Sequence, residues 1–379
     1  MRVLMVGPFP EDLDAPVGGV EAATVNLVIG LGRLPNVEVE VISNSVTSGE
    51  HTVSHPFGPV TYVPQGPGLR GWITDLHGHL IREARRRNPN VVHVQGLASL
   101  ATRLPGSVLT VHGLSERDIW ESGLGASRVV RFAGALLLEG ISRRSARNVI
   151  AVSEHIGKQV YGGGRVWSIP NAIHPRYFSP TREVSRGDPN VFITASSISP
   201  IKNTAEVITA FRHVATVNSA ARLVITGHGL DTGYGRECVT LVNQLQLNRH
   251  VTFLGQRSGM QMAELLSAAG TLVQFSRQEN APMAVAEALA TGAAVIGSDV
   301  GGIPEMLRNL PGCHVVPVGD TRSLTSWLLA STKPENPIYS HTRHEAALSY
   351  SPHTVSQRTL AVYREVALAS ASRAGKERN

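Results

Sequence analysis

Short β-rich runs alternate with helical stretches along this chain, in two series separated by a proline-punctuated segment. Such alternation demands parallel strands, because each helix is the crossover that carries the chain back to begin the next strand. The first series places strands over 3–6, 37–42, 90–94, 108–111, 149–152 and 166–169. A helix follows Gly18-Gly19, with Val20, Ala23, Leu27, Leu31 and Leu34 on one face. The second series places strands over 191–195, 222–225, 251–254, 271–275, 293–296 and 314–317, with a helix over 204–217. Between them Pro170, Pro175, Pro180 and Pro189 interrupt a polar stretch that reads as a linker. At 379 residues the chain exceeds what one ordinary core holds. The expected organisation is a doubly wound α/β domain over 1–175, a linker over 176–190 and a second such domain over 191–335. A helix over about 345–372 is expected to rejoin the first domain.

Composition narrows the setting. Apolar residues make up 42% and charged residues 17%, values of a globular chain with no sign of disorder. No segment has the uninterrupted apolar length of a membrane span. The apolar N-terminal run meets Gly7-Pro8 too early for a signal peptide. The two cysteines, Cys238 and Cys313, make no disulfide framework and have no metal-ligand spacing, so a cytoplasmic setting is expected. The net charge of +6 suits an anionic ligand, nucleic acid or a membrane face without choosing among them. The basic segment 70–87 carries Trp72, Ile73, Leu76, Leu80 and Ala84 on one helical face, with Arg82, Arg85, Arg86 and Arg87 near its end. It reads as an outer helix whose cations favour the C-terminal dipole, or as a peripheral contact with an anionic membrane inner face.

The stretch SRQENAPMAVAEALATGAAVIGSDVGGIPE, residues 276–305, carries the most chemistry. Pro282 reads as the first residue of a helix and Asn280 as its cap. The helix is expected to run from 283 to 290 and to stop at Thr291-Gly292, before a short strand and the turn at Gly301-Gly302. A helix start attracts anions, so phosphate is expected on the N–H groups of Met283 and Ala284. Glu279 and Glu287 flank that start, and a carboxylate binds vicinal hydroxyls. A ligand with hydroxyls at both ends and phosphates between them is a nucleotide-sugar.

These residues resemble a retaining glycosyltransferase of family 4 with the GT-B fold, and the resemblance spans roughly residues 1–375. Glu279 and Glu287 form its Glu-x7-Glu element, in a Glu-Asn-x-Pro variant. The resemblance implies two Rossmann-like domains facing a central cleft. It implies that Glu279 contacts donor-sugar hydroxyls and that Glu287 holds the ribose. In Ser199-Pro200-Ile201-Lys202-Asn203, Lys202 falls on the family's lysine for the donor diphosphate, where a fixed cation stabilises the leaving group. The family's arginine is replaced by Ser197 and its glycine by Ser196. Arg257, His228 or a residue of the other domain stand as substitutes for that charge. The resemblance also places Arg257 beside the nucleobase, Gly18-Gly19 near the donor phosphates and acceptor, and His112, in Thr110-Val111-His112-Gly113, near the donor sugar. His93 ends another strand and is the weaker choice.

The function so implied is metal-independent transfer of a sugar from a UDP- or GDP-sugar to an acceptor hydroxyl or amine with retained configuration. His112, Lys202 and Glu279 are the expected catalytic residues. Gly18, Gly19, Ser197, Lys202, Arg257, Glu279, Asn280, Met283, Ala284 and Glu287 are the expected donor contacts. No metal or resident cofactor is expected, and no nucleic acid; the acceptor is a small molecule, a glycan or a lipid-linked group. Double displacement needs a carboxylate on the far face of the sugar, and the sequence identifies none. The resemblance favours same-face attack, with the departing phosphate taking the acceptor's proton. A nucleotide-sugar epimerase, a phosphorylase and a noncatalytic nucleotide-sugar binder stay open as alternatives.

Overall fold

The computed structural model describes residues 1–14, 16, 18–45, 49–64, 77–104, 106–113, 140–160, 163–178, 187–333 and 339–376. The chain forms two compact units, Met1–Ala172 with Pro352–Asn379, and Ile173–Ser351.

In unit 1 the strands are β1 (Arg2–Val6), β2 (Glu38–Ser45), β3 (His51–His55), β4 (Gly58–Pro64), β5 (Val91–Gln95), β6 (Val108–Val111), β7 (Asn148–Ala151) and β8 (Arg165–Ser168). Helices α1 (Gly19–Gly32), α2 (His77–Arg87), α3 (Ala98–Ala101), α4 (Ile141–Ser145) and α5 (Glu154–Gln159) lie between them. The sheet order is β3-β4-β2-β1-β5-β6-β7-β8, parallel throughout except for the antiparallel β3–β4 pair. Strands such as β1 and β6 are apolar and buried, as parallel strands covered on both faces must be. The β3–β4 hairpin has no counterpart in the expected pattern. Its outer strand, HTVSH, is polar and mostly exposed, so it carries none of the apolar signal that marks the others.

Unit 2 holds β9 (Asp188–Ala195), α6 (Thr204–Val217), β10 (Arg222–Thr226), α7 (Gly233–Gln244), β11 (Val251–Gly255), α8 (Gly259–Ala268) and β12 (Ala269–Gln274). It continues with α9 (Met283–Thr291), β13 (Ala294–Ser298), α10 (Ile303–Met306), β14 (His314–Val316), α11 (Thr321–Ser331) and α12 (Tyr339–Tyr350). Its six strands are all parallel in the order β11-β10-β9-β12-β13-β14. The chain then returns to unit 1 as α13 (Pro352–Lys376), where Val355, Val362, Tyr363 and Val366 join the core formed with α1 and the sheet.

Three local expectations are corrected. The closing helix over 345–372 is two helices, broken at Ser351-Pro352, because the residue before proline is driven from helical geometry. Its first part belongs to unit 2, where Ala346 and Tyr350 join the core beside α9. Residues 173–175, expected in the first domain, and 176–178 and 187–190 of the expected linker also belong to unit 2, with 179–186 outside the described residues. Pro282 is the N-cap of α9 and not its first helical residue, since its φ of −65° suits a helix but its ψ of 121° is extended. That leaves Asn280 two residues ahead of the cap, out of reach of the helix donors, and α9 has no side-chain cap.

In each sheet the first strand is flanked by a strand reached early and one reached late. The reversal falls between β1 and β5 in unit 1 and between β9 and β12 in unit 2. Loops leaving the two strands at such a point diverge, and the gap at their carboxyl ends is where open α/β sheets take ligands.

Candidate functional site

In unit 2 the loops at the reversal carry the predicted residues. The loop after β9 holds Ser197 and Lys202, and the loop after β12 holds Glu279 and Asn280. The Lys202 ammonium donates to Glu279 Oε1 at 2.6 Å, joining the two loops. A backbone bond from Arg277 N–H to the Ile201 carbonyl, 2.7 Å, fixes the same approach. Lys202 reaches this position through a 3-10 turn, Pro200–Lys202, which ends at Asn203 in the left-handed conformation (φ 57°). Glu279 is 9% exposed, and a carboxylate that deep requires donors. Besides Lys202, its Oε1 accepts from the Ser276 hydroxyl and the Gln274 amide, each at 2.7 Å. Gln274 in turn donates to Ser276 Oγ at 3.0 Å. Glu279 Oε2 accepts from none of the described residues, and Lys202 Nζ donates to no other, so each partner keeps capacity for a ligand.

Helix α9 begins beside this pair. Its partly open positions are Met283, Ala284, Glu287 and Thr291, while Val285, Ala286 and 288–290 are buried. The open positions form one stripe at helical spacing, running from the uncapped first turn to Glu287 one turn on. Val285 N–H turns back to the Pro282 carbonyl at 3.2 Å, whereas the N–H groups of Met283 and Ala284 meet no acceptor among the described residues. The Tyr177 hydroxyl donates to the Glu287 carboxylate, with Arg176 nearby. Burial pushes the Glu287 carboxyl up to about 7, against the smaller opposing pulls of Tyr177 and Arg176.

Ser197, His228 and Arg257 stand two residues beyond the ends of β9, β10 and β11, at neighbouring strand exits. The exits are locked together: Ile198 N–H donates to the His228 carbonyl at 2.8 Å, and Gly227 N–H to the Gly255 carbonyl at 3.0 Å. None of the three side chains forms a hydrogen bond with a described residue, so all three remain open to a ligand.

In unit 1, Gly18 is the N-cap of α1 with φ 94°, and both Gly18 and Gly19 are exposed at the exit from β1. His112 lies just past β6, and its Nε2 meets Gln95 Oε1 at 2.7 Å. Burial pushes the His112 imidazole down to about 4 and the fully buried His93 down to about 3. His93 is a core residue, held by Tyr363 Oη and Thr110 Oγ1 at 2.6 Å each. On the basic segment, Leu80 and Ala84 are buried as expected of an outer helix. Arg86 and Arg87 bond Glu83, Arg87 also bonds Glu40, and Trp72, Ile73 and Leu76 lie outside the described residues. Among the described residues no helix is long and apolar enough to cross a membrane.

Sequence reasoning missed Gln274, Ser276, Tyr177, Arg176 and Gln95. A signal for the two glutamines was present: each closes a largely buried strand (VVHVQ and AGTLVQ) at the end where ligands bind.

Residues 178–327 match the family described as Glycosyl transferases group 1, and residues 17–177 match Glycosyltransferase Family 4. The two matches together span most of the chain, which belongs to these glycosyltransferases of GT-B type. A curated relative, N-acetyl-alpha-D-glucosaminyl L-malate synthase of Bacillus anthracis, is 30% identical over 148 residues, 38% of this chain. The matched stretch spans 36% of that relative's length. Sucrose-phosphate synthase of Thermosynechococcus elongatus superposes with a TM-score of 0.77 at 18% identity, covering 97% of this chain and all of that one (100%). HepE of Anabaena, solved with UDP and glucose, gives 0.71 at 18% identity over 96% of this chain and 100% of its own. At such identities the structures speak for the fold alone.

Proposed function

We propose that this protein transfers a sugar from a UDP- or GDP-sugar to an acceptor hydroxyl or amine, with retention and without a metal. The observation that carries this reading is the Lys202–Glu279 pair beside the uncapped start of α9, with Glu287 one turn along the same open stripe. The diphosphate takes the free N–H groups of Met283 and Ala284 and the remaining donors of Lys202. Glu279 Oε2 accepts from donor-sugar hydroxyls and Glu287 from the ribose. Glu279 Oε1 accepts from three donors, which hold the carboxylate in place with Oε2 left for the sugar. The family resemblance favours same-face attack, in which the departing phosphate takes the acceptor's proton. The relative solved with UDP and glucose supports a donor of this kind.

Glu287 supplies the test. A ribose held by two hydroxyls needs the carboxylate form, and its carboxyl is raised to about 7. Affinity for UDP-glucose or GDP-mannose, measured by calorimetry, is expected to fall about tenfold per pH unit below pH 7 and to level off above it. A diphosphate esterified at both ends does not titrate there, so the slope belongs to the protein. In ligand-free protein the sign reverses. The folded pKa exceeds the ordinary 4.5, so acidification between about 7 and 4.5 adds stability through this group. Glu287→Gln is expected to flatten the binding slope. Wild-type affinity independent of pH, or binding to neither donor, refutes the assignment.

Ser197→Arg adds a guanidinium at the β9 exit. Nucleotide binding is expected to tighten about tenfold through one further charge-assisted bond. Unchanged or weaker affinity in the same calorimetry counts against a diphosphate over that exit.

A further inference from the structure

Beneath the β6 exit of unit 1 lies a closed chain of polar side chains that the proposed chemistry does not use. Tyr363 on α13 and His93 on β5 are fully buried, and Gln95 and Thr110 nearly so. Their hydrogen bonds fix one another's protons. The Gln95 amide nitrogen faces Met5 Sδ at 3.1 Å and His93 Nε2 at 3.4 Å. Turned the other way, its carbonyl oxygen would set lone pairs against the thioether sulfur. The nitrogen therefore points inward, and His93 Nε2 is an acceptor, which the Thr110 hydroxyl also serves at 2.6 Å. His93 then carries its proton on Nδ1 and donates to Tyr363 Oη at 2.6 Å. With its nitrogen committed inward, Gln95 turns Oε1 toward His112. A carbonyl oxygen only accepts, so His112 Nε2 carries the hydrogen of that 2.7 Å bond.

The other nitrogen is then bare. His112 Nδ1 is shielded from solvent and has no hydrogen-bond partner among the described residues. His112 borders a small pocket lined also by Gln95, Pro170 and Asn171. Asn171 lies close enough to favour a charged ring, yet not in bonding geometry with Nδ1. Burial works more strongly and keeps the ring neutral at ordinary pH. A buried acceptor without a donor is an unmet demand, and the group that meets it must bring a hydrogen. An imidazolium would take a carboxylate or phosphate; a neutral ring with a bare nitrogen takes a hydroxyl.

We propose that Gln95 is a positioning residue that holds His112 as the Nε2–H tautomer, so that Nδ1 accepts a hydrogen bond from a sugar hydroxyl. The choice of sugar as hydroxyl source rests on the glycosyltransferase reading above; the tautomer does not. Donor sugar and acceptor glycoside share this chemistry.

The test is long-range proton–nitrogen NMR of the full chain labelled at histidine, with the His112 signals identified by their loss in His112→Asn. Wild-type protein is expected to show His112 as a single neutral Nε2–H form across pH 6 to 8. Gln95→Leu is expected to leave a mixture of tautomers. Gln95→Glu, whose carboxylate stabilises a charged ring, is expected to restore Nε2–H and to make His112 titrate near neutrality. With UDP-glucose, Gln95→Leu should lower kcat/KM about tenfold. The Nδ1 resonance should move on saturation with UDP-glucose if the donor sugar supplies the hydroxyl, or with methyl glucoside if an acceptor does. An Nδ1–H or mixed wild-type tautomer, or one that Gln95→Leu leaves unchanged, overturns the positioning role. An Nδ1 signal that neither sugar moves overturns the hydroxyl contact. Should the calorimetry find no nucleotide-sugar binding while the tautomer stands, the nucleotide-sugar reading and the sugar as hydroxyl source fall, and the positioning role of Gln95 stands. The wild-type spectrum decides the tautomer even if Gln95→Leu fails to fold.

Discussion

Lys202→Ala is expected to lower turnover of a nucleotide-sugar by about 10²–10³-fold, the usual cost of losing one fixed charge at a developing anion. The ammonium sits at 2.6 Å from Glu279 Oε1, so the variant strips a cation from the phosphate site and a counter-charge from a buried carboxylate together. These losses are separable. Ser276 and Gln274 still donate to Glu279 in the variant, so unit 2 should stay folded, losing about 1–3 kcal/mol. Lys202→Met keeps the apolar stem and removes only the charge. Both variants are expected to lose kcat more than donor affinity, because the leaving diphosphate is more negative in the transition state than in the bound donor. Steady-state rates beside melting temperatures check this. Full turnover in either folded variant would remove Lys202 from the mechanism.

How much of this was legible in the sequence depended on how each feature advertises itself. Parallel strands buried on both faces are largely apolar runs, so β1 and β6 could be read within a residue of their ends. The β3–β4 hairpin could not, since its polar outer strand is held by main-chain pairing with β4. At the site, Lys202 and Glu279 were legible singly, but their pairing across 77 residues was not. It follows from the strand order, which sets β12 against β9 although β10 and β11 intervene in the chain. The two missed glutamines share a logic visible only once both orders are known. Gln95 ends β5 and Gln274 ends β12, each on the late-arriving strand beside the first strand of its sheet. Each turns its amide to a predicted functional side chain, His112 in one unit and Glu279 in the other. An amide does this without adding charge, which suits a position that is almost fully buried. The sequence shows a glutamine at a strand end and nothing of what it faces.

Gly301→Ala is expected to be the most damaging small substitution in unit 2, although Gly301 touches no proposed ligand. Gly301 has φ 58°, and a Cβ there would lie 1.5 Å from the Glu279 carbonyl oxygen and 2.5 Å from its carbon. Those are backbone atoms, so no side-chain rotation relieves the overlap, and the loop carrying Glu279 must move. Its carboxylate would then leave the buried donors Gln274 and Ser276, which have little room to follow. The cost combines left-handed strain of about 1–2 kcal/mol with the loss of a buried hydrogen-bonded network, for a total of about 3 kcal/mol or more. Gly255→Ala isolates the first contribution. Gly255 has a similar φ of 69° and no atom within 4 Å of a built Cβ. It should lose about 1–2 kcal/mol and keep donor affinity, whereas Gly301→Ala should lose at least about a hundredfold in affinity as well. The measurements are thermal unfolding and nucleotide-sugar calorimetry on both variants. Equal, mild losses in the two would mean that backbone contact at Gly301 does not hold Glu279 in place. The Glu279 carboxylate would then owe its position to Lys202 and the two neutral donors alone.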